Sequence, residues 1–171
     1  MIILGIDPGL ANTGWGVVDI EGSRLRCLGY GCVSTSAEEP LAQRLAAVHA
    51  SLVSVIRKHE PAECAIEKLY FNVNVRTAFA TGQARGVALL ATAEARLPVG
   101  EYGPSEVKQA VVGYGSADKS QVQFMVRTIL GLREMPKPDH AADALAVAIC
   151  HANSRGAARA TRTTRTSPRA L

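Results

Sequence analysis

Hydrophobic and polar positions along the first third of the chain follow the pattern of strands. Ile2 to Ile6 is an unbroken apolar run, Thr13 to Ile20 follows a loop holding Pro8, Gly9 and Asn12, and Arg24 to Val33 follows Glu21-Gly22-Ser23. Connections this short favour an antiparallel meander. The period then changes: Leu41, Leu45, Val48, Leu52, Val55 and His59 step by four and three residues, which predicts an amphipathic helix. Ser36 and Glu39 stand at capping-box spacing ahead of it. Ala62 to Glu67 reads as a buried strand, Asn74 to Arg96 as an alanine-rich helix stopped by Pro98, and Leu97 to Tyr102 as a short strand. Helical character returns at Ser105 to Val112, from Lys119 onward, and after Pro136-Lys137-Pro138. Three consecutive strands, then alternating helix and strand, then helices define an α/β chain with a mixed five-stranded sheet flanked by helices. Ala78, Gly82 and Gly86 share one helix face, which implies close packing against the sheet, the default, or against a second subunit.

Composition narrows the classes. At 171 residues with 47% hydrophobic and 20% charged side chains, the chain is expected to form one soluble domain whose core needs neither disulfides nor a structural metal. Two-lobed architectures are excluded. No apolar run approaches the roughly 20 residues of a membrane span, and Met1 to Ile6 lacks the basic flank and length of a signal peptide, so a cytoplasmic protein is expected. The net charge of +4 is unevenly placed: the last 18 residues hold Arg155, Arg159, Arg162, Arg165 and Arg169 without an acid. Removing those five from 19 basic residues leaves 14 against 15 acids, a net −1 for residues 1–153. The division expected is therefore a folded domain at 1–153 and a disordered, phosphate-seeking arginine-rich tail at 154–171. The four cysteines, Cys27, Cys32, Cys64 and Cys150, form no CxxC pair and read as small buried hydrophobes.

Three acids stand where chemistry is expected. Asp7 follows the run Ile2 to Ile6, and Glu67 follows Cys64-Ala65-Ile66. If those strands are parallel neighbours, about 4.8 Å apart, both carboxylates reach the crevice beyond the strands' carboxyl ends, where open α/β sheets bind ligands. Asp143 lies in Asp139-His140-Ala141-Ala142-Asp143-Ala144-Leu145-Ala146, on the same helical face as His140 and among apolar residues that offer it no local partner. Oxygen ligands with at most one imidazole suit Mg²⁺ or Mn²⁺ better than Zn²⁺, and three such acids describe a site for two ions catalysing phosphodiester hydrolysis. His140 reads equally as a ligand or as a satisfied helix-start histidine.

Basic and aromatic residues lie nearby in the sequence. Lys119 opens a helix after Gly113-Tyr114-Gly115-Ser116-Ala117-Asp118, a turn suited to a phosphate, although the residues alone favour Ser116 or Asp118 capping the helix with Lys119 solvated. Lys108 is the other candidate phosphate contact. Tyr70 and Phe71 follow Glu67 in a polar loop that cannot bury both rings, leaving one to stack on bases or to pack locally.

Taken together, Ile3-Leu4-Gly5-Ile6-Asp7-Pro8-Gly9, Ala65-Ile66-Glu67, Gly82-Gln83-Ala84-Arg85-Gly86, Val107-Lys108-Gln109 with Gly113 to Val122, and Ala141 to Ala146 resemble the RuvC Holliday-junction resolvases. These are crossover junction endodeoxyribonucleases of the ribonuclease-H-like superfamily, and the resemblance covers about Ile2 to Ala152. It implies a homodimer that binds four-way junction DNA and nicks two strands symmetrically in recombination and repair, alongside the RuvAB branch-migration complex. It also implies that Asp7, Glu67 and Asp143 are metal-binding acids and that His140, at a place where members carry Asp or His, is the fourth ligand; Asp139 is out of phase. Lys108 and Lys119 match substrate-contacting basic residues, Tyr70 matches the aromatic set near the exchange point, and Phe71 stands beside it. The alternative is another ribonuclease-H-like nuclease acting on RNA or an RNA–DNA hybrid. A nucleotide phosphotransferase would need a second lobe, and a DNA-binding module without catalysis leaves the acids unexplained.

Overall fold

The computed structural model describes the backbone of residues 1–68 and 75–164 and the side chains of 1–68 and 78–155. Strands β1 (Ile2–Asp7), β2 (Asn12–Glu21) and β3 (Arg24–Ser34) form the expected antiparallel meander. Helix α1 (Leu41–His59) leads to β4 (Glu63–Glu67), α2 (Val75–Glu94) to β5 (Val99–Tyr102), and α3 (Pro104–Val112), α4 (Lys119–Leu130) and α5 (Asp139–Thr164) follow. The sheet order is β3-β2-β1-β4-β5, with β4 parallel to both β1 and β5. No described helix is long and apolar enough to cross a membrane. Helix α5 continues past Asn153 into the arginine-rich segment.

Two local expectations fail for identifiable reasons. The Ser36–Glu39 capping box does not form: α1 starts at Leu41 with Pro40 at its N-cap and no side-chain cap, while Ser36 Oγ accepts the Glu38 N–H. A residue before proline is pushed out of the helical region, so Glu39 cannot continue a turn begun at Ser36. The glycine face of α2 does not meet the sheet either. A Cβ built on Gly82 or Gly86 meets nothing within 4 Å, and Phe79 and Leu90 beside them are 70% and 53% exposed. The cysteines are all free thiols, with Cys64 and Cys150 buried and Cys27 and Cys32 partly so.

The strand alternation divides the core into two. Leu4, Ile6, Val17, Cys64 and Ile66 pack with α1 and α2 on one side of the sheet. Ile3, Val18 and Ala65 pack on the other side with α3, α4 and α5. Gly5, Gly14 and Gly16 also face α5, and their missing side chains let the helix lie almost on the backbone. A Cβ on Gly5 would overlap the Ala144 carbonyl, one on Gly14 the His140 carbonyl, and one on Gly16 would sit 2.7 Å from Leu145 Cδ2. Further along, buried His151 places Nε2 2.7 Å from Glu63 Oε2 and Nδ1 2.8 Å from Tyr102 Oη, tying α5 to β4 and β5. Arg155 pairs with the same Glu63.

Adding one methyl group at Gly5 should therefore push α5 outward and cost about 1–3 kcal/mol. Urea denaturation of Gly5→Ala checks this, and an unchanged midpoint would contradict the contact.

Candidate active site

Strand parity and the helix repeat bring the candidate residues together. In β1 the side chains of Ile3, Gly5 and Asp7 alternate onto the α5 side, as do those of Glu63, Ala65 and Glu67 in β4. The parallel register pairs Ile6 with Ile66, so Asp7 and Glu67 leave adjacent strand ends on the same face. Across from them α5 begins at Asp139, where Pro138 O accepts the Ala141 N–H. His140 and Asp143, three residues apart, then point at the strand ends.

Asp7, His140 and Asp143 each offer a ligand atom, and these atoms lie within 4.8 Å of one another. His140 Nδ1 is 2.7 Å from Asp7 Oδ2. Glu67 stands outside that triplet but against it. Burial, then the charges of Asp7 and Asp143, push its carboxyl up to about 7. Burial also raises Asp143, with Asp7 adding to the effect and Lys119 opposing it.

The sequence offered Asp143 no local partner; the fold supplies one from α4. Lys119 Nζ lies 3.1 Å from Asp143 Oδ2 and 3.3 Å from Asp139 Oδ2. Burial works to lower the Lys119 pKa, but its hydrogen bonds and charge interactions with Asp143 and Asp139 outweigh this and raise it. The lysine is held there because Asp118 caps α4, its Oδ1 accepting the Gln121 N–H at 2.9 Å while Gln121 Oε1 accepts the Asp118 N–H at 2.9 Å. The open helix start considered for a phosphate is thus filled by a carboxylate, and the ammonium remains turned to the acids. Asp139 stays out of the cluster, exposed and bound to Gln123 and Lys119. Lys108, Lys119, Glu67 and Asp143 share the walls of a cleft of about 280 Å³ with Pro104 and Val107. Tyr70 and Phe71 lie outside the described residues.

The donor set fits a hard divalent cation. Carboxylates that raise one another's pKa are relieved by a bound cation, and oxygen donors with one imidazole match Mg²⁺ or Mn²⁺. Acids beside two lysines in one cleft can then receive a phosphate that they would otherwise repel.

A family model described as "Crossover junction endodeoxyribonuclease RuvC" matches residues 3–151. The chain belongs to the RuvC family. It is 55% identical over 152 residues to RuvC of Desulforamulus reducens, covering 89% of this chain and 93% of that one. With RuvC of Heliobacterium modesticaldum it shares 56% over 154 residues, 90% of this chain and 95% of the relative. The solved structure of Thermus thermophilus RuvC in complex with Holliday junction substrate superposes with a TM-score of 0.88 at 42% identity, covering 92% of this chain and 96% of that one. The yeast mitochondrial Holliday junction resolvase Ydc2, 13% identical with a TM-score of 0.65 over 95% of this chain and 83% of its own, shares the fold. This RuvC fold is ribonuclease-H-like, as the sequence resemblance implied.

Without metal, folded protein keeps the Glu67 proton up to about pH 7, whereas the unfolded chain releases it near 4.5. The stability from that proton is complete below about 4.5 and is lost as pH rises through about 7. Chelator-treated protein should therefore weaken across that interval, with Glu67→Gln flattening the decline. Denaturation midpoints at several pH values check this, and parallel profiles for the two chains would contradict it.

Proposed function

We propose that this chain is a structure-specific endonuclease that resolves four-way (Holliday) DNA junctions by metal-dependent phosphodiester hydrolysis, making paired symmetric nicks in recombination and repair. The observation that carries the reading is the convergence of Asp7, Glu67, His140 and Asp143, from two parallel strand ends and one helix, beside a cleft whose walls hold Glu67, Asp143 and two lysines. The junction complex of the Thermus thermophilus relative supports the choice of substrate.

Asp7, Glu67, His140 and Asp143 would hold two ions, Mg²⁺ or Mn²⁺. When bound, such a pair supplies charge stabilisation and a water nucleophile for in-line displacement at phosphorus. Asp7 and Glu67 are fixed by the sheet, so the acids are positioned before any ligand arrives. His140 fixes the Asp7 carboxylate through Nδ1 and leaves Nε2 as a further donor. Lys119 balances the charge of Asp143 and, on the wall of the same cleft, is within reach of a substrate phosphate. Lys108 contributes a second phosphate contact from the same cleft, and the family resemblance assigns Tyr70, with Phe71 the weaker match, to contacts near the exchange point.

Two symmetric nicks need two sites related by a two-fold axis. The exposed α2 face bearing Phe79, Gly82, Gly86 and Leu90 offers the surface for a homodimer, since the glycines let a second helix approach closely. Leu90→Glu should sediment as a monomer; a persistent dimer would move the interface elsewhere. Residues 154–171 extend the nuclease domain of 1–153 with arginines that add phosphate contacts, and the chain works in the cytoplasm with the RuvAB branch-migration complex.

Positioning and chemistry use different groups. Asp7→Asn and Asp143→Asn should each bind junction DNA about as tightly as the wild type and fail to cut it. Gel-shift and cleavage assays on one labelled junction check this, and wild-type cleavage by either variant would contradict the role of the acids.

A further inference from the structure

The acid cluster borders a second groove, of about 400 Å³, lined by Gly9, Asn12, Arg44, Ala80, Thr81 and His140 among others. It shares no wall residue with the lysine cleft and meets the cluster only at His140. The two openings draw on opposite layers of the fold: the lysine cleft on α3, α4 and α5, this groove on α1, α2 and the loop between β1 and β2.

Arg44 is the cation of this groove, and it is held in place. Its Nε donates to Thr35 Oγ1 at 2.9 Å, Thr35 Oγ1 donates to the Leu10 carbonyl at 2.6 Å, and the Thr35 N–H donates to the Ala11 carbonyl at 2.9 Å. The guanidinium is thereby fixed to the loop that leaves Asp7. Among the described residues the arginines paired with an acid are Arg26, Arg85 and Arg155, and Arg44 is one of those that are not. A guanidinium with Nε anchored and, among the described residues, no partner for either terminal nitrogen is arranged for a two-pronged bond to an oxyanion.

We propose that Arg44 is a positioning residue that grips a DNA backbone phosphate on the His140 side of the cluster, while Lys108 and Lys119 take the strand on the other side. The inference rests on the nuclease reading above. A strand whose scissile phosphate lies over the acids continues in both directions, and each direction meets a cation: the lysine pair on one side, Arg44 on the other. The contact sets where along the strand the reacting phosphate comes to rest.

The test is junction affinity with Ca²⁺ in place of Mg²⁺, on junctions checked to be uncut, across a salt series for the wild type, Arg44→Gln and Arg44→Lys, each with its thermal midpoint recorded. Losing one phosphate contact lowers the slope of log affinity against log salt by about 0.9. Folded Arg44→Gln should show that loss with about tenfold weaker binding, as expected for one charge-assisted bond. Arg44→Lys should restore the slope. A wild-type slope and affinity in folded Arg44→Gln would overturn the proposal. So would a lost slope in Arg44→Lys, since Arg44 would then act only by bracing the loop. Failure of the wild type to bind the junction at all would overturn the nuclease reading, and this proposal with it.

Discussion

The site depends on how closely α5 lies against the sheet. Ordinary side chains keep helix and sheet well apart, but Gly5, Gly14 and Gly16 remove the intervening Cβ atoms at the positions that α5 crosses. His140, Ala144 and Ala148, spaced by four residues, present one helix face to that track. Because His140 itself rests on Gly14, its ring and the Asp143 carboxylate next to it have no freedom to stand back from Asp7. At the far end Glu63, Tyr102 and His151 form a second, hydrogen-bonded anchorage, so the helix is fixed both by contact and by polar bonds.

That proximity crowds like charges together. Burial and mutual repulsion raise the carboxyls of Glu67 and Asp143, and Lys119 offsets only part of the excess charge. The same features give the site its use. A cluster of carboxylates held together by packing favours whatever brings positive charge, and once the charge is balanced a phosphodiester can approach. The fold thus carries a local instability at the strand ends and compensates it with the apolar layers on both sides of the sheet.

Much of this was legible in the chain. The change from period two to period 3.6 located the meander, the helices and the five strands, and acids placed after two buried strands predicted where β1 and β4 would converge. His140 and Asp143 followed from helical spacing alone. What stayed hidden was set by distant pairings. Nothing local to Asp143 announces Lys119, whose approach depends on how α4 packs across α5. Arg44 carries no motif, and its place beside His140 arises only when α1 meets the loop after β1. A signal for the α2 surface was present in Gly82 and Gly86, but the sequence could not decide between sheet and partner. The capping box at Ser36 misled because Pro40 overrides it.

The most direct test of the account is to map cuts in labelled four-way junctions, linear duplex, single strands and RNA–DNA hybrid, with Mg²⁺ or Mn²⁺ and with chelator. The account predicts paired, symmetric nicks confined to the junction and abolished by the chelator. Cutting of the hybrid or RNA with the junction left intact, or junction cleavage that persists without metal, would contradict it.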